Sequence, residues 1–143
     1  MGSVDVDVSS EGRSTPSSDI DVVRAAFEAF ATNDVARMRQ LVGRASFRNA
    51  VTGIAVGRRG YGGDGALDDY LADVARVWSG LELRPRTFRS PRPGEVLVLG
   101  TVLRALHDGH TTEAPTAWRF KVTGGEITMI EVLPSAEGVA GII

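Results

Sequence analysis

The chain of 143 residues contains no cysteine, which excludes disulfide staples, thiolate metal ligands and a cysteine nucleophile together. It lacks an excess of either charge. Its 16 basic and 18 acidic residues leave a net charge of −2, too balanced for an electrostatic grip on nucleic acid or anionic lipid. No apolar run approaches the roughly 18 residues of a membrane helix, and the first 19 residues are acidic and polar rather than signal-like. A soluble protein is expected, with the cytoplasm as its place. Lysine occurs once, at Lys121, so positive charge is almost entirely arginine, a bias that points to no mechanism. No internal repeat is visible.

What the chain does have is the composition of a globular domain, 43% hydrophobic and 24% charged. Its length suits one domain with an ordinary hydrophobic core. Residues 1–17 mix Ser, Gly, Asp and Pro without periodicity and read as a disordered tail. The domain is expected over 18–134, with a short tail at 135–143.

A first helix is predicted from Ser18, capped by Ser18 with Asp21 in its first turn, carrying Ile20, Val23, Phe27 and Phe30 at helical spacing and stopping at Asn33. Asp34 caps a second helix through Met38 and Val42, ended by Gly43. Ala45 to Val51 and Gly53 to Val56 read as short strands around a turn. After a glycine-rich loop, Asp64 is expected to cap a third helix. Leu67, Tyr70, Leu71, Val74, Val77 and Trp78 form its apolar stripe, Asp68, Asp69, Asp73 and Arg76 its polar one, and Gly80 its stop. The pattern then alternates with period two over Leu81 to Phe88, Glu95 to Leu106, Thr111 to Val122 and Glu126 to Leu133. The joins are Ser90 to Gly94, Asp108-Gly109 and Gly124-Gly125. Such short joins demand antiparallel neighbours. The predicted class is α+β: ααββα, then a four-strand meander, a curved and mainly antiparallel sheet with helices on one face.

Three motifs invite function and yield little. Gly60-Tyr61-Gly62-Gly63-Asp64-Gly65 fits the dinucleotide-binding glycine pattern. A pyrophosphate there would face Asp64, Asp68 and Asp69, and the chain offers hairpins where that fold needs parallel crossovers. His107-Asp108-Gly109-His110 could ligate a metal, but Asp-Gly between alternating runs marks a solvent-exposed hairpin tip with no third ligand in reach. Arg84, Arg86, Arg89 and Arg92 cluster with only Phe88 as a stacking partner, which reads as a solvated edge or a partner contact rather than a nucleic-acid platform. No nucleophile elbow of the G-x-S-x-G kind occurs. Neither a metal nor a cofactor is implied.

Four stretches in this order resemble a superfamily: Val22-Val23 through Asn33-Asp34, Phe47-Arg48-Asn49, Ala114 through Phe120, and Gly125-Glu126-Ile127-Thr128. It is the superfamily of nuclear transport factor two, the SnoaL-like cyclases and ketosteroid isomerase, and the likeness covers about Ile20 to Leu133. The resemblance implies a sheet wrapped as a cone around three helices, with a mostly apolar pocket at the wide end. It also implies a base carboxylate and two oxyanion donors, and here the chain departs. Asn49 stands where the base would be, Ala26 where a tyrosine donor would be, and Thr116 or Ala117 near the second donor. Against the limonene-type epoxide hydrolases, the matching positions read Leu99, Thr101 and Val132. Glu131 has the right chemistry one step along the strand, but one step turns a side chain to the opposite face unless a bulge intervenes.

Alternation then proposes the lining. With Trp118 inward, Thr116, Phe120 and Val122 share its face, joined by Leu97, Leu99, Thr101 and Leu103 on the neighbouring strand and Thr128, Ile130 and Val132 on the last. Phe27 and Phe30 cover them. The expected ligand-binding residues are Phe27, Phe30, Asn49, Tyr61, Leu99, Thr101, Thr116, Trp118 and Ile130, and the acid/base candidate is Glu131 or a residue of the Gly57 to Asp64 loop. The expected function is binding of an apolar, ring-containing small molecule. The alternatives are an isomerase, polyketide cyclase or epoxide hydrolase, and a protein-interaction module. Val96, Val98, Val102, Ile127, Met129 and Leu133 are expected on the outer sheet face, an apolar patch suited to a homodimer.

Overall fold

A computed structural model of the chain describes residues 16–48, 56–57, 60–63 and 65–133. Helix α1 is Pro16–Ala31, opening two residues before the expected Ser18 cap, at a proline whose missing N–H costs nothing in a first helical turn. Asn33 ends it at φ 54°, a left-handed conformation that asparagine tolerates. The chain thereby turns at once into α2, Val35–Val42, where the Asp34 carboxylate accepts from the Arg37 N–H at 3.1 Å as predicted. Strand β1 is Ser46–Arg48. Its hairpin partner is β2, Gly60–Tyr61, inside the stretch expected as a loop. Of the strand expected over Gly53 to Val56, only Val56 is among the described residues and it sits in a turn, while the Asp64 cap lies outside them.

Helix α3 is Ala66–Val77, entered through Gly65 at φ 86°. It stops at Trp78 rather than Gly80, because Trp78 is already extended while its N–H still donates to the Val74 carbonyl. Strand β3, Trp78–Arg92, therefore follows with no loop. The remaining strands are β4, Glu95–Leu106, β5, Thr111–Thr123, and β6, Glu126–Leu133. Gly124 and Gly125 both have positive φ (58° and 79°), as the tightest hairpin turn requires.

The sheet order is β2-β1-β6-β5-β4-β3, antiparallel throughout except for the parallel pair β1 and β6. It curves around the three helices as an open α+β cone. Three register shifts in β3/β4 and one in β5/β6 supply the bending. At one of these shifts Gly100 pairs with Pro85, and a Cβ on Gly100 would run into the Arg84 carbonyl. The core lies between the concave sheet face and the helices, built on Val23, Phe27, Met38, Val42, Val98 and Phe120.

The phase of β4 is opposite to the expectation. Val96, Val98 and Val102 face the helices, because Val98 pairs with Trp118 and Val96 with Phe120. Leu97, with the partly buried Leu99, sits in a separate cluster with Ala117 and Leu133 on the outer face. Both parities of Val96 to Leu99 are apolar, so alternation cannot choose a face, whereas cross-strand register can. On β6 the shift between Lys121 and Val122 sends Ile127 inward beside Val122 and leaves Thr128 unpaired and exposed, reversing both expectations.

Candidate functional site

Two adjacent spaces lie on the helix-facing side. The smaller, about 40 Å³, is lined by Ala26, Phe27, Phe30, Phe47, Tyr70, Leu83, Trp118, Phe120, Ile130 and Val132. It has room for about one water molecule. The larger is a cleft of about 820 Å³ between the C-terminal half of α1, α3 and the start of β3. Phe27, Phe30, Tyr70 and Leu83 belong to both, so the small space and the cleft adjoin across a shared wall. A volume of several hundred cubic ångströms is what a small organic ligand needs.

The walls are rigid because they are rings packed on rings. Phe27 meets Trp118, Phe120 and Phe88 edge-on at 5.2, 5.6 and 5.9 Å. Phe47 stacks on Tyr70 at 4.7 Å. Behind them, Tyr61 packs edge-on against both Phe47 and Tyr70. Its hydroxyl donates to Asp73 at 2.8 Å, and Arg76 donates to the other Asp73 oxygen at 3.0 Å. Asp73 was expected on the solvated stripe of α3 but is 5% exposed. The available signal was spacing: Asp73 lies three residues after Tyr70 and four before Val77, on their face.

Of the expected site residues, Phe27, Phe30, Trp118 and Ile130 line the small cavity. Thr116 shares the face of Trp118 but lines neither space, and its hydroxyl donates to the Ala114 carbonyl at 3.1 Å. Tyr61 is buried one layer back. Leu99 and Thr101 are on the outer face with the rest of that β4 parity, for the register reason given above. Asn49 lies outside the described residues. Glu131 pairs in register with Arg119, 3.7 Å from its guanidinium, on the outer face. The β6 bulge falls at Thr128, too early to rotate Glu131 inward. Sequence reasoning missed Phe47, Tyr70, Leu83 and Ala26 as lining; Tyr70 was legible only as one member of an apolar helix stripe.

Carboxylates are scarce here. None lines the small cavity among the described residues. Glu82 lies at the cleft rim, bonded to Arg84, whose guanidinium that hydrogen bond and charge hold above its ordinary value. Among the described residues nothing accepts from the Trp118 indole N–H. Among the described residues no group of three His, Asp or Glu side chains gathers as a metal site would require, and His107 and His110 are exposed at the β4–β5 turn. No described helix is long and apolar enough to cross a membrane.

An open cone-shaped sheet closed on one side by three helices is the fold of solved structures described as NTF2-like. No protein-family model matches the chain, and no curated protein matches it in sequence. The likeness is to solved structures. An NTF2-like protein of unknown function from Burkholderia pseudomallei shares 18% identity over 85% of this chain and 95% of its own, with a TM-score of 0.72. The protein TerC, co-crystallised with polyporic acid, shares 19% over 87% and 96%, with a TM-score of 0.73. A Mycobacterium tuberculosis protein in complex with estradiol-17beta-hemisuccinate shares 14% over 78% and 88%, with a TM-score of 0.64. At these identities the likeness establishes the fold.

Proposed function

We propose that this chain is a small-molecule-binding domain that takes an apolar, ring-containing ligand into the cleft between α1, α3 and β3. The observation that carries the reading is a cleft of about 820 Å³ whose wall shares Phe27, Phe30, Tyr70 and Leu83 with the adjoining aromatic cavity. Rings and aliphatic side chains supply non-directional affinity, and the Trp118 N–H supplies a donor. Proteins of the same fold captured with polyporic acid and with estradiol-17beta-hemisuccinate are in keeping with it. Binding without turnover fits the lining better than acid/base catalysis. General acid/base work needs a titratable group beside the substrate, and Glu131 stands on the far side of the sheet.

The test is titration with phenylnaphthylamine, a neutral aromatic probe whose fluorescence rises in apolar surroundings. Saturable binding with a rise in melting temperature is expected, since a ligand at a hundredfold its Kd stabilises by about 2.7 kcal/mol. No saturable signal and no thermal shift would refute the reading. We also propose a homodimer through the outer sheet face, now centred on the partly exposed Leu99 and Leu133 beside Leu97 and Ala117. Sedimentation of the wild type as a dimer and of Leu99→Asp as a monomer is expected, and a monomeric wild type refutes it.

A further inference from the structure

The helix-facing side of the sheet is uncharged along its paired register, with one exception. Of the paired residues of β3 to β6 that share the face of Trp118, only Arg104 is charged. It pairs with Leu81 on β3 and Thr112 on β5. Arg104 does not itself line the large cleft, but its neighbours Leu81 and Trp78 do, and the Arg104 guanidinium lies over the Trp78 ring, 5.8 Å from its centroid.

Nothing in the described chain neutralises it. Its Nε is buried without a hydrogen-bond partner, and no ion pair or other bond to it exists among the described residues. Two carboxylates of the flanking strands, Glu82 and Glu113, are in register with Leu103 on the opposite face, and Glu82, which reaches the cleft rim, is bonded to Arg84. Arg119, by contrast, lies within ion-pair distance of Glu95 and Glu131, Arg92 of Glu95 and Arg84 of Glu82, while Arg86 and Arg89 are exposed to solvent. A half-buried guanidinium with a dehydrated N–H and no acceptor is costly to keep. It is also the side chain best shaped to bind an oxyanion through parallel N–H donors.

We propose that Arg104 is the anion-reading element of the cleft, and that the ligand is an apolar ring system bearing one acidic group. This rests on the cleft being the ligand site. The ring frame lies against Phe30, Tyr70 and Leu83, and the acidic group reaches the end walled by Trp78. From Leu83 back to Trp78 the strand covers about 15 Å, the length of two or three fused rings with an acid at one end. Trp78 fixes the guanidinium plane by cation–π contact.

Two probes that share an aromatic frame and differ in charge test this: anilinonaphthalene sulfonate and neutral phenylnaphthylamine. Arg104→Met keeps an aliphatic stem on Trp78 and removes the charge. It should weaken sulfonate binding about tenfold to a hundredfold, the value of a hydrogen bond to a charged group, and leave phenylnaphthylamine unchanged. Arg104→Lys, which keeps charge but loses the fork, should fall between and serves if the methionine variant does not fold. Arg86→Met, at an exposed arginine of β3, should change neither affinity. The proposal is overturned if Arg104→Met or Arg104→Lys leaves sulfonate binding at the wild-type level, weakens both probes equally, or does no more than Arg86→Met. In each of those cases phenylnaphthylamine binding by the wild type leaves the cleft reading standing. If the wild type binds neither probe, the cleft reading falls and this proposal with it.

Discussion

Replacing Phe27 by alanine measures how much of the fold rests on the walls of its own binding site. The ring is 8% exposed and makes three edge-to-face contacts, with Phe88, Trp118 and Phe120. Each such contact is worth about 0.5–1.5 kcal/mol beyond simple burial, and a buried Phe→Ala change costs about 3–5 kcal/mol once the residual cavity is included. The site cannot collapse easily, because Phe27 already borders the small cavity and the open cleft. The expected loss is therefore about 4 kcal/mol, a large part of the roughly 5–15 kcal/mol that holds a domain together. At about 3 °C per kcal/mol for a chain of this size, the melting temperature should fall by about 12 °C. Phe27→Leu keeps bulk and loses only the ring edges, and should cost about 1–2 kcal/mol. Urea unfolding followed by circular dichroism measures both, and the m-value should not change. A cost below about 1 kcal/mol for Phe27→Ala would show that the ring cluster does not hold the helices to the sheet.

Tyr61→Phe should cost about 1.5–3 kcal/mol by the same assay, because it strips a hydroxyl donor from the buried Asp73 carboxylate; a loss under about 0.5 kcal/mol refutes the role given to that pair. Gly100→Ala forces a methyl against the Arg84 carbonyl at the β3/β4 irregularity and should cost about 1–3 kcal/mol, so an unchanged thermal midpoint would mean that the strands do not approach as described. The Asp108 carboxyl should titrate below the ordinary aspartate value, first because the His110 backbone N–H donates to it and next through the His110 side chain. Its folded value being depressed, any contribution to turn stability is present above the unfolded pKa and disappears as pH falls through the depressed one. A carbon-detected NMR titration placing Asp108 at or above the ordinary value refutes this.

How much was legible follows from which signals were local. The α1–α2 junction needed only Asn33 and Asp34, and both act as their chemistry dictates. The hairpin turns at Asp108-Gly109 and Gly124-Gly125 were equally self-contained. The faces of β5 were readable from Trp118 and Phe120, since aromatic and polar residues alternate there. On β4 valines and leucines alternate with each other, so the hydrophobic pattern is silent and the pairing with β5 decides, which moved Leu99 and Thr101 out of the site. Strand β2 is two residues long and glycine-led, and exists only because Phe47 offers Tyr61 a partner. The Asp73 to Tyr61 bond joins positions twelve residues apart and carries no local mark. The cleft was anticipated as a pocket at the wide end of a cone, but its β3 wall was not, because Gly80 looked like a helix stop and Trp78 a helix residue.

The loopless passage from α3 into β3 has a mechanical consequence for the cleft. From Tyr70 to Leu83 one wall is an uninterrupted run of helix and strand, joined where the Trp78 N–H still holds the Val74 carbonyl. No slack segment in that wall can swing aside as a lid would. Admitting a bulky guest requires the whole of α3 to tilt as a lever about its entry at Gly65, with the first turn of β3 carried along against Leu106. Amide exchange at Val74 to Trp78 and at the facing end of β4 should then slow together when the cleft fills, as one moving part rather than two.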